Sequence, residues 1–216
     1  MIVLYWMTPD PIIVREDTPL LEVWDLSRQH EVRRFPVVRG DDELCGLIAR
    51  TDLLRVLPAG STGELSDETR AELARHKVAD YLRREPVTCD AYDHIEDVSR
   101  RFCETKVGAM PVLNRGHLVG IISETDLMRA LAELGYQGRG GRRITVRLPA
   151  TSEPGQELLY SLVNLCRRYH LELLAVLTHP ILDESKMVAT LRVDGEHIDR
   201  FVQALWEEGF RVVELS

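Results

Sequence analysis

Apolar positions change their spacing along this chain in a recurring order. Short runs of consecutive or alternating apolar residues predict strands, and recurrence at three and four residues predicts amphipathic helices. Ile12-Ile13-Val14 is such a run, and Leu20, Val23, Trp24 and Leu26, with Leu21 beside them, follow at helical spacing. Thr18 before Pro19 predicts the helix start, a hydroxyl cap with proline at the first helical position. Phe35-Pro36-Val37-Val38 and Leu44-Cys45-Gly46-Leu47-Ile48 then predict two strands about the turn Gly40-Asp41-Asp42. Thr51-Asp52 predicts the cap of a second helix reaching Leu57.

The same order returns later in the chain. Pro86-Val87-Thr88-Cys89 matches Pro11-Ile12-Ile13-Val14, and Val107-Gly108-Ala109-Met110-Pro111-Val112-Leu113 matches Val32-Arg33-Arg34-Phe35-Pro36-Val37-Val38. Gly120-Ile121-Ile122-Ser123-Glu124-Thr125-Asp126-Leu127 matches Gly46-Leu47-Ile48-Ala49-Arg50-Thr51-Asp52-Leu53. The offset is 75 from Pro11 to Pro86 and 74 from Gly46 to Gly120, so one residue separates the lengths of the two copies. Asp93 is the expected cap of the repeated helix, Ile95, Val98 and Phe102 its buried face, and Asn114-Arg115-Gly116 the repeated turn. Two related β-α-β-β-α units packed together create two related clefts.

A loop at Pro58 to Gly63 and a short polar helix from Ser66 read as a solvated connector, with acidic residues where the helix dipole favours them. Gly135-Tyr136-Gln137-Gly138-Arg139-Gly140-Gly141 reads as a flexible linker. Beyond it the pattern changes. Ile144, Val146 and Leu148 alternate; a helix with Leu158, Leu159, Leu162, Val163 and Cys166 on one side follows Pro154-Gly155. Leu171–Leu177 and Met187–Val193 predict strands. Ile198, Phe201, Val202, Leu205 and Trp206 predict a helix ended by Gly209, and Phe210–Leu215 a last strand. The order is the ferredoxin-like β-α-β-β-α-β. The expected organisation is a mixed α/β (α+β) chain. It has repeats at 1–57 and 80–134, a connector at 58–79, a linker at 135–141 and a separate domain at 142–216.

The 216 residues suffice for two or three small domains, and 44% hydrophobic content is that of an ordinary soluble protein. No apolar run approaches the ~20 residues of a membrane helix, so no membrane partner is expected. The N-terminal apolar stretch lacks the marks of a signal peptide, which places the protein in the cytoplasm as an expectation. Cys45, Cys89, Cys103 and Cys166 are scattered and expected reduced, and neither they nor the seven histidines show metal-ligand spacing. A net charge of −8 argues against a nucleic-acid partner while leaving room for one small anion in a basic cleft. No nucleophile-base pair or Walker-type phosphate loop is evident, so no catalytic residue is assigned.

The repeated Val-x-x-Φ-Pro-Val-Φ block followed by Gly-Φ-Φ-x-x-x-Asp-Leu resembles the CBS domain, of which two in tandem form one module. The Pro154-Gly155 turn between a strand and a helix resembles the ACT domain. The combination is similar to regulatory proteins of the acetoin-utilisation AcuB type. The resemblance implies a non-catalytic homodimer that senses AMP, ADP, ATP or another adenosine derivative in clefts between the repeats and relays binding by rearrangement. It implies a phosphate contact from the motif's hydroxyl residue and a ribose contact from its aspartate. A carboxylate accepting two hydrogen bonds from a vicinal diol suits that role.

Ser123 and Asp126 complete this motif in the second repeat. The first keeps Asp52 but has Ala49 at the hydroxyl position, so the Ser123–Asp126 cleft is the expected better site. Asp52 and Asp126 also stand where helix caps belong and act as caps with or without ligand. Arg33 and Arg34 suit a phosphate held near Ser123, or are solvated helix-end charges. Thr88, Gly108 and Ala109 are expected to admit a purine, and Gly108 is alternatively a turn residue with positive φ. In the C-terminal domain Gly155 is the effector position implied by the ACT resemblance, with Glu153 nearby. The alternative to a sensor is an interaction protein that docks on a metabolic enzyme through this domain.

Overall fold

The computed structural model describes residues 1–57, 65–135, 140–147, 155–180 and 187–215. They form two compact units, Met1–Ala130 and Leu131–Ser216. In chain order the first unit holds β1 (Thr8–Pro9), β2 (Val14–Arg15), α1 (Leu20–His30), β3 (Arg34–Arg39) and β4 (Glu43–Ala49). It continues with α2 (Asp67–Arg75), β5 (Arg83–Arg84), β6 (Cys89–Asp90), α3 (Ile95–Thr105), β7 (Ala109–Asn114), β8 (His117–Ser123) and α4 (Glu124–Gly135), within which the unit boundary falls.

The strands form two sheets of matching order, β2-β3-β4-β5 and β1-β8-β7-β6. Each exchanges its outer strand with the other repeat. β1 opens the first repeat yet pairs antiparallel with β8 of the second, and β5 opens the second yet pairs with β4 of the first. Val3 and Val78, 75 residues apart, follow the exchange. Val3 is fully buried among Ile95, Val98 and Phe102 of the second repeat, and Val78 among Leu20, Phe35 and Leu53 of the first. Burial of a valine side chain stabilises by about 1.5–3 kcal/mol, so each core depends on a residue from the other copy. Each packed core therefore combines its own repeat with the leading segment of the other.

The exchange explains the first glycine of each motif. A Cβ at Gly46 would lie 3.0 Å from the Arg83 carbonyl oxygen and would overlap the Leu82 side chain. At Gly120 it would lie 3.0 Å from the Thr8 carbonyl oxygen and crowd Met7. Neither glycine has positive φ. Both serve the close crossing of the exchanged segment.

Several local expectations shift. α1 is capped at Pro19 without a side-chain bond, because the Thr18 hydroxyl accepts the Arg15 N–H at 2.9 Å instead. α3 is capped at His94, while Asp93 accepts the Asp90 N–H at 3.1 Å. The expected second helix of the first repeat is a single 3-10 turn, Asp52–Arg55. The connector helix α2 is anchored: Leu73 is fully buried in the first core and Arg70 makes two hydrogen bonds to Asp25.

The second unit holds β9 (Arg142–Arg147), α5 (Gly155–Arg168), β10 (Glu172–Pro180), β11 (Met187–Asp194), α6 (Ile198–Glu207) and β12 (Arg211–Leu215). The sheet order is β10-β11-β9-β12 with every neighbour antiparallel, which is the split β-α-β-β-α-β arrangement. Its core joins Ile144, Val146, Leu162, Leu165, Cys166, Leu191, Phe201 and Leu205. Leu159, Val163 and Trp206, expected on the buried faces, are exposed. Among the described side chains of α5, the inward stripe runs through Leu162, Leu165 and Cys166. Gly209 has φ +85 and its N–H meets the Trp206 carbonyl, as a left-handed helix end requires.

Candidate ligand clefts

Each motif joins the end of a strand to the start of a helical turn. In the second repeat β8 ends at Ser123 and α4 begins at Glu124, which puts Asp126 at the third helical position. Asp126 Oδ2 accepts the Ser123 N–H at 2.9 Å and its hydroxyl at 2.6 Å, while the Asp126 N–H faces the Ser123 hydroxyl oxygen at 3.4 Å. These reciprocal contacts form a capping box. The Arg129 guanidinium lies 3.4 Å from Asp126 Oδ1, and the Asp126 side chain is 8% exposed.

The first repeat has half of this device. The Ala49 N–H donates to Asp52 Oδ2 at 2.8 Å, but Ala49 has no hydroxyl to return a bond. Arg55 stands 3.8 Å from Asp52 Oδ1, and the Asp52 side chain is 20% exposed. Asp52 therefore keeps more of its accepting capacity for a third party than Asp126 does.

Among the described residues, three clefts are lined by these motifs. The first, about 230 Å³, sets Ala49, Thr51 and Asp52 opposite Pro86, Val87, Val107, Gly108 and Ala109, with Arg34, Arg83 and Lys106 also in its wall. The second, about 360 Å³, sets Ser123, Thr125 and Asp126 opposite Thr8, Glu31, Val32, Arg33 and Arg34, with Ala109, Ile121 and Arg129. Both are composite: the motif of one repeat faces the strand entry of the other. A third, about 390 Å³, is lined by Trp24, Arg33, Arg34, Ala49, Arg50, Thr51 and Leu54.

The site residues expected from sequence divide between these spaces. Gly108 belongs with Asp52, Ala109 lines both composite clefts, and Arg33 and Arg34 line the cleft of Ser123 and Asp126, with Arg34 also lining that of Asp52. Thr88 lines none of the three; its carbonyl accepts the Arg101 guanidinium at 2.7 Å, and the preceding Val87 forms the wall. Gly108 is not a positive-φ turn residue. A Cβ there would overlap the Arg34 guanidinium, so glycine makes room for that arginine.

Lys106, Arg83 and Arg50 were missed. The repeat offset carried the signal for the first two: Lys106 aligns with Glu31, and Arg83 with Thr8. Among the described residues, Arg33, Arg34, Arg83 and Lys106 form no ion pair. The Asp52 cleft thus carries three cations, Arg34, Arg83 and Lys106, against the single carboxylate of Asp52.

The CBS domain model matches residues 3–59 and 78–133, the two repeats together with their exchanged leading segments. The chain belongs to the CBS-domain family. A CBS domain-containing protein of Dictyostelium discoideum is 26% identical over 129 residues, covering 59% of this chain and 89% of the relative. Among solved structures, the CBS protein CBSX2 in complex with AMP is 26% identical and superposes with a TM-score of 0.52. That match covers 62% of this chain and 97% of CBSX2. The CBS pair also shares its fold with a putative acetoin-utilisation protein, AcuB, of Vibrio cholerae. The TM-score is 0.52 at 20% identity, over 65% of this chain and 97% of AcuB.

Elsewhere, helix α5 begins at Gly155, while Thr151–Pro154, including Glu153, lie outside the described residues. Among the described residues no group of three or more His, Cys, Asp or Glu side chains is placed to hold a metal, and no helix is long and apolar enough to cross a membrane. The four cysteines are free. Burial pushes the Cys89 thiol up to about 12 and the Cys166 thiol up to about 11.

Proposed function

We propose that the CBS pair is a non-catalytic sensor of an adenine nucleotide or adenosine derivative, and that its principal site is the Asp52 cleft. The observation that carries this reading is the composition of that cleft. An incompletely engaged carboxylate faces small and apolar groups across the repeat interface, beside three cations without carboxylate partners among the described residues. Asp52 would receive the ribose hydroxyls, Val87 and the Val107–Ala109 backbone would flank the purine, and Arg34 with Lys106 or Arg83 would meet the phosphate. Arginine provides a planar fork for that contact. The AMP bound by CBSX2 supports the ligand class. This preference reverses the one suggested by motif completeness, because Ser123 and Asp126 already satisfy each other and Arg33 stands where the Asp52 cleft has Gly108.

The rest of the reading follows from regulation. We propose a cytoplasmic homodimer in which the C-terminal unit, ACT-like with Gly155 at its effector position, carries the output to a protein target. The ligand regulates only if it binds one arrangement of the protein better than another. A second reading, an interaction protein that docks on a metabolic enzyme and needs no nucleotide, is favoured by the self-contained capping box at Ser123 and Asp126.

Isothermal titration of the full chain with adenosine, AMP, ADP, ATP and S-adenosylmethionine separates the readings. Binding weakened about tenfold or more by Asp52→Asn, and much less by Asp126→Asn, supports the sensor and its site. Equal loss in both variants removes the preference for the Asp52 cleft. No binding of any of them by the folded wild-type protein overturns the sensor and leaves the interaction reading.

A further inference from the structure

Arg33, Arg34 and Arg50 converge beside the Asp52 cleft, and the nucleotide reading leaves Arg33 and Arg50 unused. Arg33 and Arg50 are neighbours across β3 and β4, where the Arg50 N–H donates to the Arg33 carbonyl at 2.8 Å. The Arg50 guanidinium lies over the Trp24 ring, 5.0 Å from its centroid, and Trp24 is itself buried. That contact engages the ring face rather than a lone-pair acceptor, so the guanidinium keeps N–H groups to donate. Among the described residues none of the three arginines forms an ion pair, in a chain whose net charge is −8. Three cations lining one cleft repel one another, and an anion with several charges relieves that repulsion more than one with few.

The cluster has no counterpart in the other repeat. The equivalent positions there are Gly108, Ala109 and Glu124, with Ser99 in place of Trp24. The cluster also adjoins the Asp52 cleft directly, since Arg34, Ala49 and Thr51 line both spaces. Ala49, which removes the motif's hydroxyl, is the smallest part of that shared wall.

We infer that this third cleft is a polyphosphate subsite. A nucleoside seated at Asp52, as the proposed function requires, extends its phosphate chain past Ala49 to Arg33, Arg34 and Arg50, so the chain selects nucleoside di- and triphosphates over monophosphates. Arg50 is the residue that sets this preference. It touches the distal phosphates, whereas Arg34 also serves the phosphate nearest the ribose.

The test uses the full-length chain in magnesium-free buffer, with inorganic tripolyphosphate, AMP, ADP and ATP as probes in calorimetry. Arg50→Gln keeps most of the stem that covers Trp24 and removes the charge. Arg50→Lys keeps the charge and loses the fork. Circular dichroism confirms that both are folded. The expected result is affinity rising from AMP to ADP to ATP, by about tenfold or more overall. Arg50→Gln should collapse that ratio and abolish tripolyphosphate binding, with Arg50→Lys in between. AMP binding as tightly as ATP, or an ATP-to-AMP ratio unchanged in Arg50→Gln, overturns the subsite while leaving the nucleotide site standing. Tripolyphosphate bound through Arg50 with no nucleotide bound supports the subsite and overturns the nucleoside site instead.

Discussion

Ala49-Arg50-Thr51-Asp52 and Ser123-Glu124-Thr125-Asp126 occupy equivalent corners of the two repeats and behave differently. The second is the fuller motif, and its completeness closes a capping box that opens the twelve-residue helix α4. The first lacks the hydroxyl, continues only as a four-residue 3-10 turn, and leaves its aspartate more exposed toward a basic composite cleft. A hydroxyl three residues before an aspartate is therefore a helix-start signal here before it is a ligand signal. What distinguishes the two corners further is the wall across from each, which comes from the other copy.

The exchange of leading segments is the sharpest way to break the comparison. Val78→Ala and Val3→Ala should each destabilise by about 2 kcal/mol, and either should lower the unfolding midpoint of both repeats in one transition. Chemical denaturation followed by fluorescence of Trp24 and Trp6, one in or against each core, reads this. Separate transitions would mean that the repeats are not coupled as the packing requires. Ser123→Ala removes the box and should cost about 1 kcal/mol, visible as a lowered thermal midpoint. The reverse exchange, Ala49→Ser, should gain a few tenths of a kcal/mol while weakening nucleotide binding, because the new hydroxyl bonds to Asp52. A gain in affinity would show that the hydroxyl serves ligand after all.

For the thiols, the effect on stability is confined to alkaline pH. Cys103 is exposed and should react with a disulfide reagent within seconds to minutes, whereas the buried Cys89 and Cys166 should wait for opening of the fold. Because burial raises the Cys89 thiol from its ordinary value near 9 to about 12, the folded state holds that proton more tightly than the unfolded chain. The resulting stability is complete below pH 9 and is lost as pH rises toward 12. Cys89→Ala should flatten that part of the alkaline stability curve.

The repeat, its strands and turns, and the β-α-β-β-α-β unit were legible because local apolar spacing carries them. The exchange of Val3 and Val78 was not, since a single buried valine looks the same whichever core it enters. Helix starts drifted by a residue at Thr18 and Asp93, where a side chain bonded a nearby strand N–H in preference to the helix. The CBS-pair residues named from sequence, Thr88 apart, line these clefts but divide between them. Ser123 and Asp126 do not share a cleft with Gly108, because each composite cleft pairs the motif of one repeat with the strand entry of the other. Aligning Glu31-Val32-Arg33-Arg34 with Lys106-Val107-Gly108-Ala109 would have exposed the difference in charge and bulk between the two walls. The role of Gly108, room for Arg34, had no signal in sequence at all.

The most direct test of the central claim is a crystal structure of the full chain grown with AMP, read for the position of the ribose. The account predicts ribose hydroxyls within hydrogen-bond distance of the Asp52 carboxylate and the purine beside Gly108. A ribose bound by Asp126, with the Asp52 cleft empty in the same crystal, would contradict it.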